Sequence, residues 1–355
     1  MRPVQPHFAP HFGVPIMRFR RLMQVSLAVT VALLGACAKD RKPGEKASSK
    51  TSRTAPAAVA GFPKISFSHD TAPLGDMIRK LGQEKGGGIV ALSGLEERTV
   101  AALSVSYAPY ASLAKQLADA VECRATPLNN AYFIYPEPYE GLLQVSLEGR
   151  LHERFAAMNA AVAFGAKTRL ANVFAVLSES LGTAIVADNY IAEATCGEMF
   201  MDKAPLQAVL EAVLMSARIP AQEIAIDCTD EYLFIASLRN AAPKTVLLSD
   251  ETSLSPEQKA ELERVVDVVL PERGENPVQT AFAAKAAPLR DVLTPLTQQL
   301  NIEVAAKKSL AEVPINPCTL HKVRVRTVMD LLIRQWPLAN FGYELNGNQL
   351  LIRPR

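Results

Sequence analysis

The chain has 355 residues, with 38 Lys and Arg against 36 Asp and Glu and a formal net charge of +2 at pH 7. That near balance excludes the broad basic footprint that holds nucleic acid through its phosphates. With 49% hydrophobic residues the chain can bury sizeable cores, and its length suits two or three domains.

The N-terminus reads as a secretory signal. Basic Arg18, Arg20 and Arg21 precede the apolar run Val25–Leu34, and Gly35-Ala36-Cys37 follows directly. The apolar run is too short to cross a bilayer, which takes about 20 apolar residues. Residues 1–16 lie upstream of a complete signal and contain four prolines, so Met17 is the expected start of translation. Leu34-Gly35-Ala36-Cys37 resembles the lipobox of bacterial lipoproteins. The resemblance implies cleavage after residue 36, lipidation of Cys37 and a membrane anchor. Ala38, rather than an aspartate, follows the cysteine, which resembles lipoproteins passed on to the outer membrane with their bulk facing the periplasm. Removing residues 1–36, with four arginines and no acid, leaves a formal charge of −2. Residues 38–60 are rich in Lys, Ser, Thr, Ala, Pro and Gly, and 37–63 is expected to be a flexible tether reaching about 25–30 Å.

Beyond the tether one pattern occurs three times. A short strand comes first: Ile65–Ser68, then Val162–Phe164, then Thr280–Phe282. A helix follows, with apolar stripes Leu74, Met77, Ile78, Leu81; Leu170, Val173, Phe174, Leu177; and Leu289, Val292, Leu293, Leu296. Gly86, Gly182 and Asn301 suit the left-handed residue that ends such helices. A β-segment, a second strand and a second helix come next, the last striped by Tyr110, Leu113, Leu117, Val121; Leu206, Val209, Leu210, Val213; and Val325, Val328, Met329, Leu332. Each unit closes in a hairpin, the third around Asn346-Gly347. Pro295, inside a helical stretch, is expected to kink it. Leu142–Leu147 is a candidate extra strand, and a connector helix is expected from Pro256 to Val269 with Ser255 as its N-cap. The fold class is thus α+β: tandem β-α-β-β-α-β-β modules over 64–137, 138–237 and 279–355, with a connector at 238–278.

The stretches "APLGDMIRKLGQEKGGGIV", "TRLANVFAVLSESLGTAIV" with "KAPLQAVLEAVL", and "APLRDVLTPLTQQLNIEVA" with "NGNQLLI" resemble the short domain at the N-terminus of secretins and TonB-dependent transducers. The resemblance implies periplasmic protein-docking modules, two helices packed between small sheets, with no catalytic residues and no cofactor. A secretin would continue into a long β-rich pore segment, and with the last module reaching Arg355 this chain is not expected to be a pore-forming secretin itself.

Other motifs point to no chemistry. Ser112-Leu113-Ala114-Lys115 matches a Ser-x-x-Lys nucleophile, but its companion motifs are missing and Leu113 belongs to a buried stripe. Gly86-Gly87-Gly88 follows a helix and precedes a strand, the reverse of a phosphate loop. His69, His152 and His321 lie far apart, with no carboxylate at a metal-ligand spacing. The charges at Glu257, Lys259, Glu261, Glu263 and Arg264 read as a solvated helix face. Four cysteines besides Cys37 permit two disulfides. Cys196 and Cys228, in one module, are the candidate pair, with free buried thiols as the alternative, and Cys123 with Cys318 would need the first and third modules to touch. The leading expectation is a non-enzymatic envelope lipoprotein that docks a protein such as a secretin or another secretion, pilus or transport component. The alternative is a ligand- or cell-wall-binding lipoprotein with a site between modules.

Overall fold

Residues 64–129, 131–139, 144–238, 246–270, 275–336 and 340–355 are described by a computed structural model. The signal, Cys37 and the tether lie outside these residues. The first segment runs β1 (Ile65–His69), β2 (Ala72–Pro73), α1 (Leu74–Lys85), β3 (Gly88–Ala91), β4 (Thr99–Val100), β5 (Leu103–Ala108), α2 (Tyr110–Ala120), β6 (Arg124–Leu128) and β7 (Ala131–Tyr135). The second runs α3 (Glu153–Ala156), β8 (Asn159–Phe164), α4 (Leu170–Leu181), β9 (Ala184–Ala187), α5 (Asn189–Glu193), β10 (Met199–Pro205), α6 (Leu206–Ser216), β11 (Ile224–Cys228) and β12 (Tyr232–Ser237). The third runs α7 (Pro256–Glu263), β13 (Val265–Leu270), α8 (Pro277–Ala283), β14 (Ala287–Pro288), α9 (Leu289–Leu300), β15 (Glu303–Ala306), β16 (Pro314–Ile315), β17 (Cys318–Arg324), α10 (Val325–Arg334), β18 (Phe341–Asn346) and β19 (Gln349–Pro354).

The fold is α+β, and its three segments pair their strands alike. β1–β5, β8–β10 and β13–β17 are antiparallel. β3–β7, β9–β12 and β15–β19 are parallel. β6–β7, β11–β12 and β18–β19 are antiparallel hairpins. The start of the third segment differs from the sequence expectation. Thr280–Phe282 lie in helix α8, where Asn276 caps the first turn and Pro277 opens it. The strand role falls instead to β13, read above as the end of the connector helix. Helix α7 stops at Glu263 because Val265–Leu270 is a β-branched run whose Val266, Val268 and Leu270 alternate into the core. The segment therefore begins well before residue 279.

Two local devices shape the segments. The first helices satisfy their leading amides on a distant carbonyl: Leu74 N on Arg98 O, Leu170 N on Ala194 O and Leu289 N on Val313 O, each at 2.8 Å. Such amides have no partner inside a helix. Four helices are preceded by proline at the N-cap, at Pro73, Pro109, Pro205 and Pro288, one position earlier than the first helical turn. The second device is a bulge three residues before each second helix. Tyr107, Lys203 and Lys322 have φ of 48°, 47° and 55°, and the ladder slips register in all three outer pairs. A bulge bends its strand sharply, and here it turns the chain into the helix. Helix α9 continues from Leu289 to Leu300 across Pro295. Gln144–Leu147, the described part of the extra candidate strand, forms no strand.

The core is divided by the sheet of the second segment. Ile185, Ala187, Leu233 and Ile235 pack into one apolar cluster with the first and second segments. The alternate residues Ala184, Val186, Phe234 and Ala236 pack into another with the third. Period-two alternation of a strand, with both faces apolar, thus places the sheet between two cores.

Candidate protein-docking faces

The first and second segments are joined by strand addition. β10 lies between β8 and β3 in one five-stranded sheet, with Met199 opposite Val90, Phe200 opposite Ile89 and Met201 opposite Gly88. At the ends of the ladder, Ala91 N donates to Glu198 O at 2.9 Å and Asp202 N to Gly87 O at 3.0 Å. Two glycines permit the approach. A Cβ on Gly82 of α1 would sit 2.5 Å from Cδ2 and 2.8 Å from Cδ1 of Phe200, and one on Gly197 would overlap the Ala91 carbonyl. The rim is polar. Arg79 donates through Nε and Nη2 to the two oxygens of Glu198, at 3.2 and 3.0 Å, and Ala166 N donates to Glu198 Oε2 at 3.0 Å. The buried Glu211 of α6 accepts from Leu147 N at 2.7 Å, and from Asn129 and Gln207 at 3.0 Å. Its carboxylate therefore ties the turn of the first segment's hairpin to the second.

The second and third segments meet through charge. Arg334 of α10 is buried. Its Nη2 lies 2.9 Å from Asp227, its Nη1 donates to Tyr232 Oη at 3.3 Å, and its guanidinium lies 4.2 Å from the Phe234 ring centre. A guanidinium stacked on an aromatic face while paired to a carboxylate is a strong use of arginine. Glu231 accepts from Thr327 at 2.7 Å and pairs with Arg324 at 2.9 Å. His321 sits between Glu179 of α4, at 3.4 Å, and Asp267 of β13, at 3.3 Å. Asn172 of α4 donates to the carbonyls of Ala281 and Ala284, at 2.9 and 2.8 Å, which holds α8 on α4. Burial pushes the Asp330 carboxyl up to about 7, against the pull of the Val246 backbone, Arg334 and Arg326.

The residues singled out by sequence fall as follows. Cys37 lies outside the described residues. The candidate Cys196–Cys228 disulfide is not formed, and Cys123 and Cys318 are free as well. Cys196 is buried in the bend before β10, where its thiol lies 3.8 Å from Gly165 O. Cys228 ends β11 in another sheet, where its sulfur accepts from His152 N at 3.2 Å. Burial pushes the thiols of Cys196 and Cys318 up to about 12. His152 caps α3 by accepting from Arg154 N. Lys115 pairs with Asp119 one turn on, at 2.5 Å, rather than with Ser112. In the glycine triplet, a Cβ on Gly87 would lie 2.7 Å from the Tyr110 ring, so the triplet makes room for an aromatic. Sequence spacing missed the His321 carboxylates and Arg334, because Glu179 and Asp227 come from the second segment and Asp267 from β13, which reads as the end of a helix. Gly82, a glycine inside an amphipathic helix, was one available signal of close approach.

Among the described residues no helix is long and apolar enough to cross a membrane. Set against protein-family models, curated proteins and solved structures, the chain matches none of them.

Proposed function

We propose that the chain is a non-enzymatic cell-envelope lipoprotein, anchored in the outer membrane through Cys37. Its three segments act as modules resembling the secretin N-terminal short domain. They dock a periplasmic partner such as a secretin or another component of a secretion, pilus or transport assembly. The observation that carries the reading is the way the chain builds itself: β10 of the second segment is added edge-on to β3 of the first. Strand addition is a general mode of protein recognition, with affinity from main-chain hydrogen bonds and selectivity from alternate side chains. A fold that joins its own segments this way presents the same chemistry wherever an edge stays open. The test is affinity purification of the tagged full chain from detergent-solubilised envelopes, with Cys37→Ser in parallel. A secretin or secretion-system component should be recovered with the lipidated chain and lost or reduced with Cys37→Ser. Recovery of no envelope-assembly protein would overturn the reading.

A further inference from the structure

β5, β10 and β17 hold the same place in the pairing scheme, each carrying its left-handed residue three positions before a helix. Two of them are sealed. Met199 and Met201 of β10 are 1% and 0% exposed, and Cys318 and Leu320 of β17 are 1% and 0% exposed. Their counterparts in β5, Leu103 and Val105, are only half-buried, and Ser104, Ser106 and Tyr107 are exposed. The difference is a neighbour. β10 is paired with β3, and β17 packs against β9. β5 pairs with β1 alone, and among the described residues no strand lies on its other edge.

The opposite end of the chain is closed in a different way. β15 stands where β3 and β9 stand, but its first residue is Glu303, which accepts from Gln349 at 2.6 Å, and Arg353 pairs with Glu344 at 2.6 Å on the strands beside it. Charges on an edge strand are a common means of preventing further pairing. From Leu103 to Ala108 the β5 edge carries no charge.

We infer that the outer edge of β5 is a docking site for a strand of a partner protein, added antiparallel opposite Leu103, Ser104 and Val105, as β3 is added opposite Met199, Phe200 and Met201. The chemistry of the occupant follows from the internal junction. It is a short uncharged strand of small and β-branched residues, like Gly88-Ile89-Val90-Ala91, directly following a helix. Inside the chain Phe200 demands a glycine on that helix. β5 carries Ser104 at the same register, so the partner helix has room there for a larger residue. The occupant deepens the docking-lipoprotein reading and rests on it for the compartment, while the edge and register rest on the fold.

The test places a photoreactive residue at Ser106, just beyond the ladder, in the full lipidated chain, and irradiates intact cells. The expected adduct joins Ser106 to an envelope protein, at a peptide forming a strand immediately after a helix. Ser104→Arg, which puts a charge at the centre of the edge on an already exposed position, should cut recovery of that protein at least tenfold with an unchanged melting temperature. An adduct to Glu303–Ala306 of a second copy, no adduct, or equal recovery with Ser104→Arg would each overturn the inference. Equal recovery with both chains would leave the docking reading standing. Failure of the unmodified chain to recover any envelope-assembly protein would sink both.

Discussion

Replacing Gly82 with alanine should destabilise the chain, although alanine is the better residue in a helix interior by about 1 kcal/mol. The added methyl would sit 2.5 and 2.8 Å from the Cδ atoms of Phe200, well inside an ordinary carbon contact, so the ring must retreat by about 1 Å. It has little freedom to do so, because Phe200 is paired with Ile89 on one side and Ala163 on the other. Overpacking of this kind costs about 1–3 kcal/mol. Against the helical gain, a net loss of about 1 kcal/mol remains, or a melting temperature lower by about 2–4 °C. In a Phe200→Ala background the obstruction is gone, and the same Gly82→Ala change should stabilise by about 1 kcal/mol. The sign of the effect therefore reverses, and the coupling between the two positions is about 2 kcal/mol. Thermal unfolding of the four variants, built on the full chain with Cys37→Ser and followed by circular dichroism, measures it. A higher melting temperature for Gly82→Ala alone, or an equal effect in both backgrounds, would refute the ring-on-glycine junction.

Arg334→Met should cost about 3 kcal/mol, because it removes the guanidinium 2.9 Å from Asp227, whose side chain is only 16% exposed; adding Asp227→Asn should recover a good part of that loss in urea unfolding, and a purely additive pair would contradict the contact. The Asp330 carboxyl, raised to about 7, holds a proton in the folded chain that the unfolded chain releases above about pH 4. Its contribution is complete below that pH and is lost as pH rises through 7, by at most about 4 kcal/mol, so Asp330→Asn should flatten the stability profile between pH 5 and 8, and an unchanged slope would reject this assignment. Lys203→Val puts a β-branched residue at φ of 47° and should destabilise by about 1–2 kcal/mol, where Lys203→Gly, free to adopt that φ, should not. Denatured without reductant, the Cys37→Ser chain should bind four equivalents of maleimide, and Cys196 and Cys318 should resist modification while it is folded; two equivalents would restore the disulfide.

Much of the segment plan was legible because apolar spacing alone places a helix. The stripes Leu74-Met77-Ile78-Leu81 and Leu170-Val173-Phe174-Leu177 are buried throughout, and each lies in a 12-residue helix. The third segment was misplaced where two signals compete. Thr280-Ala281-Phe282 alternates like a strand, but Asn276-Pro277 starts a helix, and the cap wins because it fixes the first turn locally. Val265–Leu270 was hidden by the connector helix before it, although its β-branched run marked a strand. The bulges went unseen because Tyr107, Lys203 and Lys322 are not glycines, the usual sign of a left-handed residue. The cysteines misled for another reason: an even count permits pairing without bringing Cys196 and Cys228 into the same sheet.

The charges of the second junction were illegible for a deeper reason, and they separate its physics from that of the first. Arg334 of α10 is paired across the segment boundary with Asp227, whereas Asp330 lies beside the Val246 backbone, Arg326 and Tyr343. Arg334 lies buried over β12, whose Phe234 looks away from its own segment's helices and toward the third. A helix face facing a neighbouring segment must satisfy its charges across the boundary, and Arg334, Thr327 and Arg324 do so on Asp227 and Glu231. At the first junction β10 meets β3 through backbone hydrogen bonds and a ring over a glycine, with the Arg79–Glu198 pair at the rim. Main-chain ladders and packed rings are indifferent to moderate changes of pH and salt, whereas buried ion pairs and a carboxyl raised to about 7 are not. The chain thus joins its segments by two mechanisms of unequal sensitivity, a largely geometric one between the first and second segments and a more electrostatic one between the second and third.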